Sequence, residues 1–324
     1  MFMMTYDLPT PAEPLKIGTR GSPLALAQAH ETRDLLMQAF DLPQAAFEIC
    51  VIKTTGDDRT LIDADIALKT IGNKGLFTKE IEEAMLSGAI DIAVHSTKDM
   101  PVAQPDGLVL DVFLPREDAR DAFVSLKHAS IADLPVGAVV GTSSLRRRAQ
   151  LLAKRPDLNV VEFRGNVQTR LKKLAEGVAD ATFLAMAGLN RMGMGDTATG
   201  AISLTDMLPA IAQGTISIER RGSDTRAKEM LAAIHDVRAS QQMAAERAFL
   251  AALDGSCETP IAGFATLEGD QIWLRGEILK PDGTQVFTGE KRGAIADGAR
   301  VGKALAEELL AQAGPDFFEA VAAG

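Results

Sequence analysis

The sequence predicts an α/β protein made of two wound lobes and a small α+β domain. Over the first two-thirds of the chain, short apolar runs alternate with amphipathic segments, as strands and helices alternate in wound α/β folds. From about residue 237 onward the pattern changes to a long helix, two strands, a further turn and a closing helix. With 324 residues and 46% hydrophobic content, the chain is long enough for two or three domains.

The first lobe opens with a strand at 15–19. Ser22 and Pro23 then supply an N-cap and a first-turn proline for a helix that reaches about residue 40. Thr78 caps a second predicted helix, which runs to about residue 86. The remaining strands of this lobe are predicted from apolar runs at 47–53, 89–94 and 108–114.

The second lobe starts near Ala122, with helices from about Ser144 and Val167 and strands predicted at 136–140, 160–163 and 181–186. In the C-terminal domain a helical stretch runs to about residue 253. Two predicted strands, at 262–267 and 271–278, are joined through Gly269 and Asp270. A further turn follows at 281–283, and a helix at 299–313 closes the domain.

Composition limits the classes of function. The net charge of −10 and the pI of about 5.0 argue against a general role on nucleic acid or anionic membranes. The first residues do not resemble a signal peptide, and the longest apolar stretch, 181–189, is too short to span a bilayer, so we expect a cytoplasmic protein. Two cysteines exclude a disulfide scaffold, and four scattered histidines do not predict a zinc site.

A basic island interrupts this acidic chain. Between Thr142 and Lys173 there are nine Lys or Arg residues against Asp157 and Glu162 only. Five of its arginines form two groups, at 141–148 and 164–170, that each follow an apolar run and open a helix. Guanidinium groups at helix N-termini suit carboxylates or phosphates. The alternatives are a solvated basic face or a nucleic-acid stripe, and the acidic remainder of the chain favours a small polyanionic ligand.

An apolar strand near residue 94 runs directly into a polar cluster that a proline ends. In α/β folds, ligands bind at the carboxyl ends of strands. Strand alternation places His95, Thr97 and Asp99 on one face and Ser96 and Lys98 on the other, unless the loop breaks this rule. Asp99 is the best acid/base candidate, while His95 alone is more typical of a structural histidine. The alternative is that the segment is an ordinary solvent-exposed loop that follows the strand.

Two further segments are candidates for chemistry. The glycine-rich loop at 72–78 lacks the full phosphate-binding pattern, and it is better interpreted as a flap that carries Lys74 and Phe77. Cys257 lies among small and polar residues, where a thiol can be a nucleophile or an attachment point, although it can equally be an ordinary surface thiol. Cys50 lies in an apolar run and is expected to be buried.

Together these segments resemble the porphobilinogen deaminase family, also called hydroxymethylbilane synthases, from Lys16 to about Ala313. The motifs occur in the family's order: Thr19-Arg20-Gly21-Ser22-Pro23-Leu24-Ala25-Leu26, Lys74-Gly75-Leu76-Phe77, His95-Ser96-Thr97-Lys98-Asp99-Met100-Pro101, the segment 141–147, Arg164-Gly165-Asn166 with Thr169-Arg170, and Cys257 with Pro260-Ile261.

The resemblance implies a transferase that joins four porphobilinogen molecules head to tail with release of ammonia and yields hydroxymethylbilane. It implies a dipyrromethane cofactor held to Cys257 by a thioether, Asp99 as the catalytic residue, and no metal. It also implies two lobes with mixed sheets, like those of periplasmic binding proteins. The implied first lobe comprises 1–115 and 213–235, the second lobe comprises 118–208, and the C-terminal domain comprises 237–324. We expect a monomer without nucleic-acid or membrane partners.

The remaining site residues are also carried over from the resemblance. Those expected to bind the cofactor, besides Cys257, are Lys98, Ser96, Thr142, Ser143, Ser144, Arg146, Arg147 and Arg170. Those expected to bind the substrate are Arg20, Ser22, Gln28, Lys74, Phe77, Arg164 and Arg191.

Some positions depart from the family pattern. Asn73, Ser256 and Ala212 stand where glycine is common, and Arg148 has no assigned role. Two rival functions also remain at this point. A non-catalytic two-lobed binding protein for a carboxylated metabolite would use the same arginines without needing Asp99 or Cys257. A nucleic-acid binder would need only the basic island and would bind with steep salt dependence.

Overall fold

The computed structural model describes residues 7–55, 78–253, 259–314 and 317. The chain forms two compact units. Unit 1 comprises Met1–Arg116 and Thr215–Ser240, and unit 2 comprises Glu117–Gly214 and Gln241–Gly324. The chain therefore leaves unit 1 after Arg116 and returns to it at Thr215.

Unit 1 is built on a five-stranded mixed sheet. Its strands are β1 (Leu15–Thr19), β2 (Phe47–Val51), β3 (Ile92–Ser96), β4 (Leu108–Phe113) and β10 (Ile216–Arg221). They lie in the order β2-β1-β3-β10-β4; the first three are parallel, and β10 lies antiparallel between β3 and β4. Its helices are α1 (Pro23–Phe40), α2 (Lys79–Leu86) and α6 (Thr225–Ala232). The core includes the fully buried Ile17, Ile92 and Ile218.

Local sequence explains how α1 begins and ends. The Ser22 hydroxyl accepts a hydrogen bond from the Ala25 amide at 3.2 Å, and Pro23 occupies the first turn, as predicted. The helix ends at Asp41, whose φ of 52° is left-handed. For α2 the prediction was wrong in one respect: Thr78 occupies the N-cap position, but its side chain makes no capping hydrogen bond.

The first sheet of unit 2 has a closely similar strand arrangement, in the order β7-β6-β8-β5-β9. Here β7, β6 and β8 are parallel, and β5 lies antiparallel between β8 and β9. The strands are β5 (Asp121–Ser125), β6 (Val139–Gly141), β7 (Asn159–Val161), β8 (Ala181–Ala185) and β9 (Gly200–Ala201). The helices are α3 (Leu145–Lys154), α4 (Val167–Ala175) and α5 (Met186–Arg191).

A three-stranded antiparallel sheet forms the C-terminal part of unit 2. It contains β11 (Ile261–Glu268), β12 (Gln271–Leu279) and β13 (Val286–Ala294). The helix α7 (Val237–Ala252) precedes this sheet and α8 (Gly298–Ala313) follows it. Side chains of α8 approach strand glycines closely: a Cβ on Gly289 would lie 2.9 Å from Leu305 Cδ1. The sheet thus packs against α8.

These elements confirm the predicted α/β class with mixed sheets and a C-terminal α+β part. The predicted strands at 47–53, 89–94, 136–140 and 160–163 are shorter or displaced in the structure. Four strands were missed. Buried Asp121 opens β5, β9 has only two residues, buried Glu219 and Arg220 end the apolar part of β10, and β13 has no fully buried residue. The division of the chain into three domains at the predicted boundaries stays a prediction.

Within the described residues, no helix is both long and apolar enough to cross a membrane.

Candidate active site

In unit 1, a cavity lies at the carboxyl end of β3. The strand ends at Ser96, and a short 3-10 turn, Thr97–Asp99, follows. The amide and the hydroxyl of Thr97 both donate to the Thr215 carbonyl, at 3.0 Å and 2.9 Å. This turn breaks the strand alternation, so the prediction that Thr97 and Asp99 share a strand face was wrong. Thr97 is buried, whereas Asp99 is exposed to the cavity.

Predicted site residues converge on this cavity. Asp99 shares its walls with six other polar residues, namely Arg20, Ser22, Gln28, Thr78, His95 and Ser96; the apolar lining residues are Leu24, Ala25, Val94 and Met100. The amide group of Gln28 and the hydroxyl of Ser96 exchange hydrogen bonds of 2.8 Å and 3.1 Å. Ser22 uses its hydroxyl to cap α1. The half-buried Lys98 lies in the same turn but is not part of the cavity wall.

His95 has a buried carboxylate partner behind the cavity. Its Nε2 lies 3.1 Å from Oε2 of Glu219, which is fully buried on β10. Burial raises the pKa of the nearby Glu82 carboxyl, and the charge of Glu219 acts in the same direction. This pairing fits the structural interpretation of His95.

In unit 2, the first turn of α3 carries two buried arginines that share one carboxylate. Nε and Nη2 of Arg147 donate to Oδ1 of Asp121 at 3.1 Å and 2.7 Å, and Nη1 donates to the Phe183 carbonyl at 3.0 Å. Nη1 of Arg146 forms an ion pair with Oδ2 of Asp121 at 2.8 Å. Asp121 is completely buried, so both arginines are held from the head of β5.

The guanidinium of Arg146 is only partly satisfied. Its Nη1 also donates to Oε1 of Gln150 at 2.9 Å and to the Leu208 carbonyl at 3.0 Å. Its Nε is buried and has no hydrogen-bond partner among the described residues. A buried donor without a partner costs free energy, so this atom is a site for an additional acceptor.

The charges of the cluster are unbalanced. Burial works against the ionised form of Asp121, but the charges of Arg146 and Arg147 outweigh it and hold the pKa of that carboxyl well below its usual range. Burial, together with the charge of Arg147, lowers the pKa of Arg170 to about 10. Two guanidinium groups thus share one fully buried carboxylate, and the charge of Arg147 acts on Arg170, which together favours binding of another anion.

The hydroxyl residues before α3 shape its entry. The Thr142 hydroxyl accepts from the Ser144 amide at 3.2 Å, and the Ser143 hydroxyl accepts from the Phe163 amide at 3.0 Å. The Ser144 hydroxyl accepts from the Arg147 amide at 3.4 Å and caps the helix. All three predicted ligand-binding hydroxyls therefore have structural hydrogen bonds that orient the arginine-bearing turn.

The other predicted arginines of unit 2 contact backbone or acidic groups. Nε of Arg170 donates to the Gly165 carbonyl at 2.9 Å, and Nη1 of Arg191 donates to the Gly214 carbonyl at 3.1 Å. Nε of Arg164 lies 3.4 Å from Oε2 of Glu162. Arg148, the third arginine of α3, is half-buried; residues that follow one another on a helix point about 100° apart, so the three arginines cannot all face one ligand.

Three predicted site residues, Lys74, Phe77 and Cys257, lie outside the described residues, as do Asn73 and Ser256. Cys50 is half-buried rather than fully buried, and burial is the main cause that raises the pKa of its thiol. Within the part of the chain that the structure describes, no group of three His, Cys, Asp or Glu side chains is arranged to hold a metal ion.

Sequence reasoning missed the residues that support the arginines. Asp121 accepts from Arg147, and Nε2 of Gln213 also donates to its Oδ1 at 2.9 Å. Gln150 contacts Arg146 and, through Nε2, Oε2 of Glu277 at 2.7 Å. Asp121 had a readable signal, since a carboxylate that opens an apolar run must be paired if the run is buried. The glutamines and Glu277 had none.

Comparisons with known proteins show the family of this chain. The family model described as porphobilinogen deaminase, dipyromethane cofactor binding domain, matches residues 15–229, and the model of the porphobilinogen deaminase C-terminal domain matches residues 240–311. A porphobilinogen deaminase of Paracoccus denitrificans is 64% identical over 97% of this chain and 99% of its own length. The chloroplastic porphobilinogen deaminase of Pisum sativum is 52% identical over 94% of this chain and 83% of its own length.

Among solved structures, a putative methionine-binding lipoprotein from Bacillus subtilis matches with a TM-score of 0.41 and 13% identity, over 71% of this chain and 93% of that one. The periplasmic VFT2 domain of Bordetella pertussis BvgS matches with a TM-score of 0.40 and 16% identity, over 68% of this chain and 86% of that one. The two family models and the nearly full-length relatives establish that this chain belongs to the porphobilinogen deaminase family.

Proposed function

We propose that the chain is a hydroxymethylbilane synthase, a transferase of tetrapyrrole biosynthesis that joins four porphobilinogen molecules head to tail. Ammonia is released at each condensation, and the linear tetrapyrrole hydroxymethylbilane is freed by hydrolysis. The observation that carries the proposal is the cavity of unit 1, in which the exposed Asp99 shares its walls with Arg20. Family membership does not favour the alternative of a non-catalytic binding protein.

Asp99 is proposed as the catalytic residue. Loss of ammonia from the aminomethyl group of porphobilinogen leaves an azafulvenium cation, and the pyrrole N–H needs an acceptor while the positive charge develops. A carboxylate supplies both the negative charge and the acceptor. It can also take the proton that leaves the ring carbon after the new carbon–carbon bond has formed. Asp99 lies in the turn that directly follows the buried strand β3, so its position is fixed by that strand.

Arg20, Ser22 and Gln28 are proposed to bind the substrate in the same cavity. Porphobilinogen carries an acetate and a propionate group, and a guanidinium binds a carboxylate through a two-point fork. Ser96 and Lys98 are proposed to contact carboxylates of the cofactor beside Asp99. The Gln28–Ser96 pair would then have to share its hydrogen bonds with these ligands, because both side chains are already paired with each other.

The arginine cluster of unit 2 fits a carboxylated cofactor. Arg146 has a buried Nε without a hydrogen-bond partner among the described residues, and Arg170 is a half-buried cation close to Arg147. Dipyrromethane, which consists of two linked pyrrole units with carboxylate side chains, would be held by Arg146, Arg147 and Arg170 together with Thr142, Ser143 and Ser144. When bound through Cys257, this cofactor supplies the acceptor pyrrole for the first condensation. Arg164 and Arg191 are proposed to bind carboxylates of the substrate chain.

The proposal is tested by incubating the purified protein with porphobilinogen and separating the products by chromatography under conditions that preserve hydroxymethylbilane. We expect one ammonia released for each porphobilinogen consumed and a four-ring product. Consumption without ammonia release, or binding without consumption, would contradict the proposal. The Asp99→Asn variant is the matched control: a large loss of ammonia release and of four-ring product in this variant would show that the reaction depends on this cavity.

Three further expectations stay proposals: a cytoplasmic location, a monomeric state and the absence of a nucleic-acid partner. The net charge of −10 supports the last of these. Light scattering coupled to size-exclusion chromatography measures the molar mass directly, and a value near 34.4 kDa is expected for the monomer.

A further inference from the structure

Side chains of α3 and of the C-terminal sheet hold Arg146 in place. Gln150 lies one helical turn after Arg146 on α3 and is 5% exposed. Its Oε1 accepts from Nη1 of Arg146 at 2.9 Å, and its Nε2 donates to the Leu208 carbonyl at 3.1 Å and to Oε2 of Glu277 at 2.7 Å. A cationic donor on one side and two acceptors on the other fix the orientation of the amide group.

Glu277 reaches this point from the C-terminal sheet. It lies in the middle strand β12, where it pairs with Ala262 of β11 and Thr288 of β13. Its carboxylate favours the charged form of Arg146, which burial disfavours. Glu277 is half-buried. The contact therefore combines a hydrogen bond with a charge effect on the arginine cluster.

The sheet also contacts the backbone of α3 directly. Gly283, in the turn between β12 and β13, has a left-handed φ of 74°. A Cβ at this position would lie 2.5 Å from the Ala153 amide nitrogen and 2.8 Å from the Ala149 carbonyl oxygen. Only glycine permits so close an approach at this φ. The turn and Glu277 thus contact the helix that carries Arg146.

The contacts of Arg146 leave one edge of its guanidinium for a ligand. The Asp121, Gln150 and Leu208 contacts all use Nη1. Because the guanidinium is planar and rigid, fixing Nη1 also fixes the edge formed by Nε and Nη2. This edge contains the buried Nε without a partner, and it has the two-donor geometry that binds a carboxylate bidentately.

We propose that Gln150 and Glu277 are positioning residues that hold the Nε–Nη2 edge of Arg146 ready for a carboxylate of the cofactor or the growing chain. This inference rests on the proposed function. It gives the C-terminal sheet a part in anion recognition by α3. Neither residue needs to touch the ligand, since both act through the guanidinium of Arg146.

The test uses the purified full-length enzyme with Glu277→Ala, Glu277→Gln and Gln150→Met. The control is Glu290→Ala, which removes a carboxylate from the same sheet, where it accepts from Nε1 of Trp273 at 3.1 Å. The readouts are KM and kcat for porphobilinogen, the melting temperature, and the fraction of denatured molecules that carry the mass of two pyrrole units.

We expect Glu277→Ala and Gln150→Met to raise KM about five- to tenfold, the size of effect produced by losing one buried hydrogen bond. Their kcat per cofactor-bearing molecule should stay within about twofold, and their cofactor-bearing fraction should fall. Glu277→Gln should restore most of the loss in KM, because its amide oxygen still accepts from Gln150 although its charge is gone. Glu290→Ala should behave as wild type in all readouts.

An unchanged KM in both Glu277→Ala and Gln150→Met would overturn the positioning role, as would an equal rise in Glu290→Ala or a fall in kcat at constant KM. If the variants melt at lower temperature, the split between KM and kcat decides, because a general structural defect would lower kcat, whereas a displaced Arg146 edge raises KM at nearly unchanged kcat. A wild-type enzyme that consumes no porphobilinogen would instead contradict the proposed function.

Discussion

Asp121 bridges Arg146 and Arg147. Its Oδ1 accepts from Nη2 of Arg147 at 2.7 Å, and its Oδ2 lies 2.8 Å from Nη1 of Arg146. The carboxylate is fully buried at the first residue of β5, and the arginines occupy the first turn of α3. One buried anion therefore orients two buried cations, and the cluster retains an excess of positive charge for a ligand.

The first prediction concerns this bridge. Asp121→Asn should lower the free energy of unfolding at pH 7 by about 3–5 kcal/mol, because it leaves buried guanidinium groups without their counter-charge. The pKa of Asp121 is lowered in the folded protein, so its stabilisation is complete above the ordinary carboxyl pKa and is lost as pH falls through the folded value. The deficit of the variant should therefore shrink below about pH 4.

Urea denaturation of both proteins between pH 3 and pH 7 measures this deficit. A deficit that stays constant across the series would mean that Asp121 contributes through packing rather than through its charge. Asp206→Asn, at an exposed carboxylate of the same unit, is the control and should show no deficit at any pH.

The second prediction concerns Asp99. Asp99→Asn should lower kcat by about 10³-fold, because general acid/base catalysis by one side chain contributes about 10²- to 10⁴-fold. The melting temperature should be unchanged, since Asp99 is exposed in a turn. Asp106→Asn, at another exposed residue of the loop between β3 and β4, should retain full activity. Full activity of Asp99→Asn would remove this residue from the mechanism.

The third prediction concerns Ala212, where the family commonly has glycine. Its φ is 62°, a left-handed conformation that is strained for alanine, and its amide donates to Oε2 of the buried Glu246 at 2.7 Å. Ala212→Gly should raise the free energy of unfolding by about 0.5–1 kcal/mol. Ala210→Gly, two residues earlier and without a positive φ, should lower it by a similar amount. Equal effects of the two substitutions in urea denaturation would contradict the strain.

The fourth prediction compares two glycines with positive φ in turns of the C-terminal sheet. Gly269→Ala should cost about 1 kcal/mol of stability, because its φ is 61° but nothing lies within 4 Å of the added Cβ. Gly283→Ala should cost about 1–3 kcal/mol more, because its Cβ would overlap the backbone of α3. Gly283→Ala should also raise KM, and thermal unfolding with steady-state kinetics checks both effects. Equal costs would show that the turn does not press on the helix.

Local signals predicted part of this fold well. The apolar run of β1 and the Ser22-Pro23 start of α1 were predicted at the observed residues, because capping and strand pattern are encoded within a few positions. The hairpin through Gly269 was also predicted. In the structure, Glu268 lies opposite Gln271 at its end. The turn Thr97–Asp99 was not predicted, because the contacts of Thr97 with Thr215 depend on the return of the chain to unit 1.

The candidate site shows the same division. Asp99 and the arginines were predicted as site residues from motifs, whereas the residues that contact the arginines were missed. Asp121 meets Arg147 only because β5 pairs with β8 and α3 packs beside them. Glu277 meets Gln150 only through the packing of the C-terminal sheet on α3. Such contacts join distant segments and leave no local pattern in the sequence.

The most direct test of the account is the intact mass of the purified protein under denaturing conditions, followed by peptide mapping. The account predicts an added mass of two linked pyrrole units on the peptide that contains Cys257 and none on the peptide that contains Cys50. Cys257→Ser should carry no added mass. An unmodified Cys257 peptide, before and after incubation with porphobilinogen, would contradict the claim that this chain builds its product on a covalently attached cofactor.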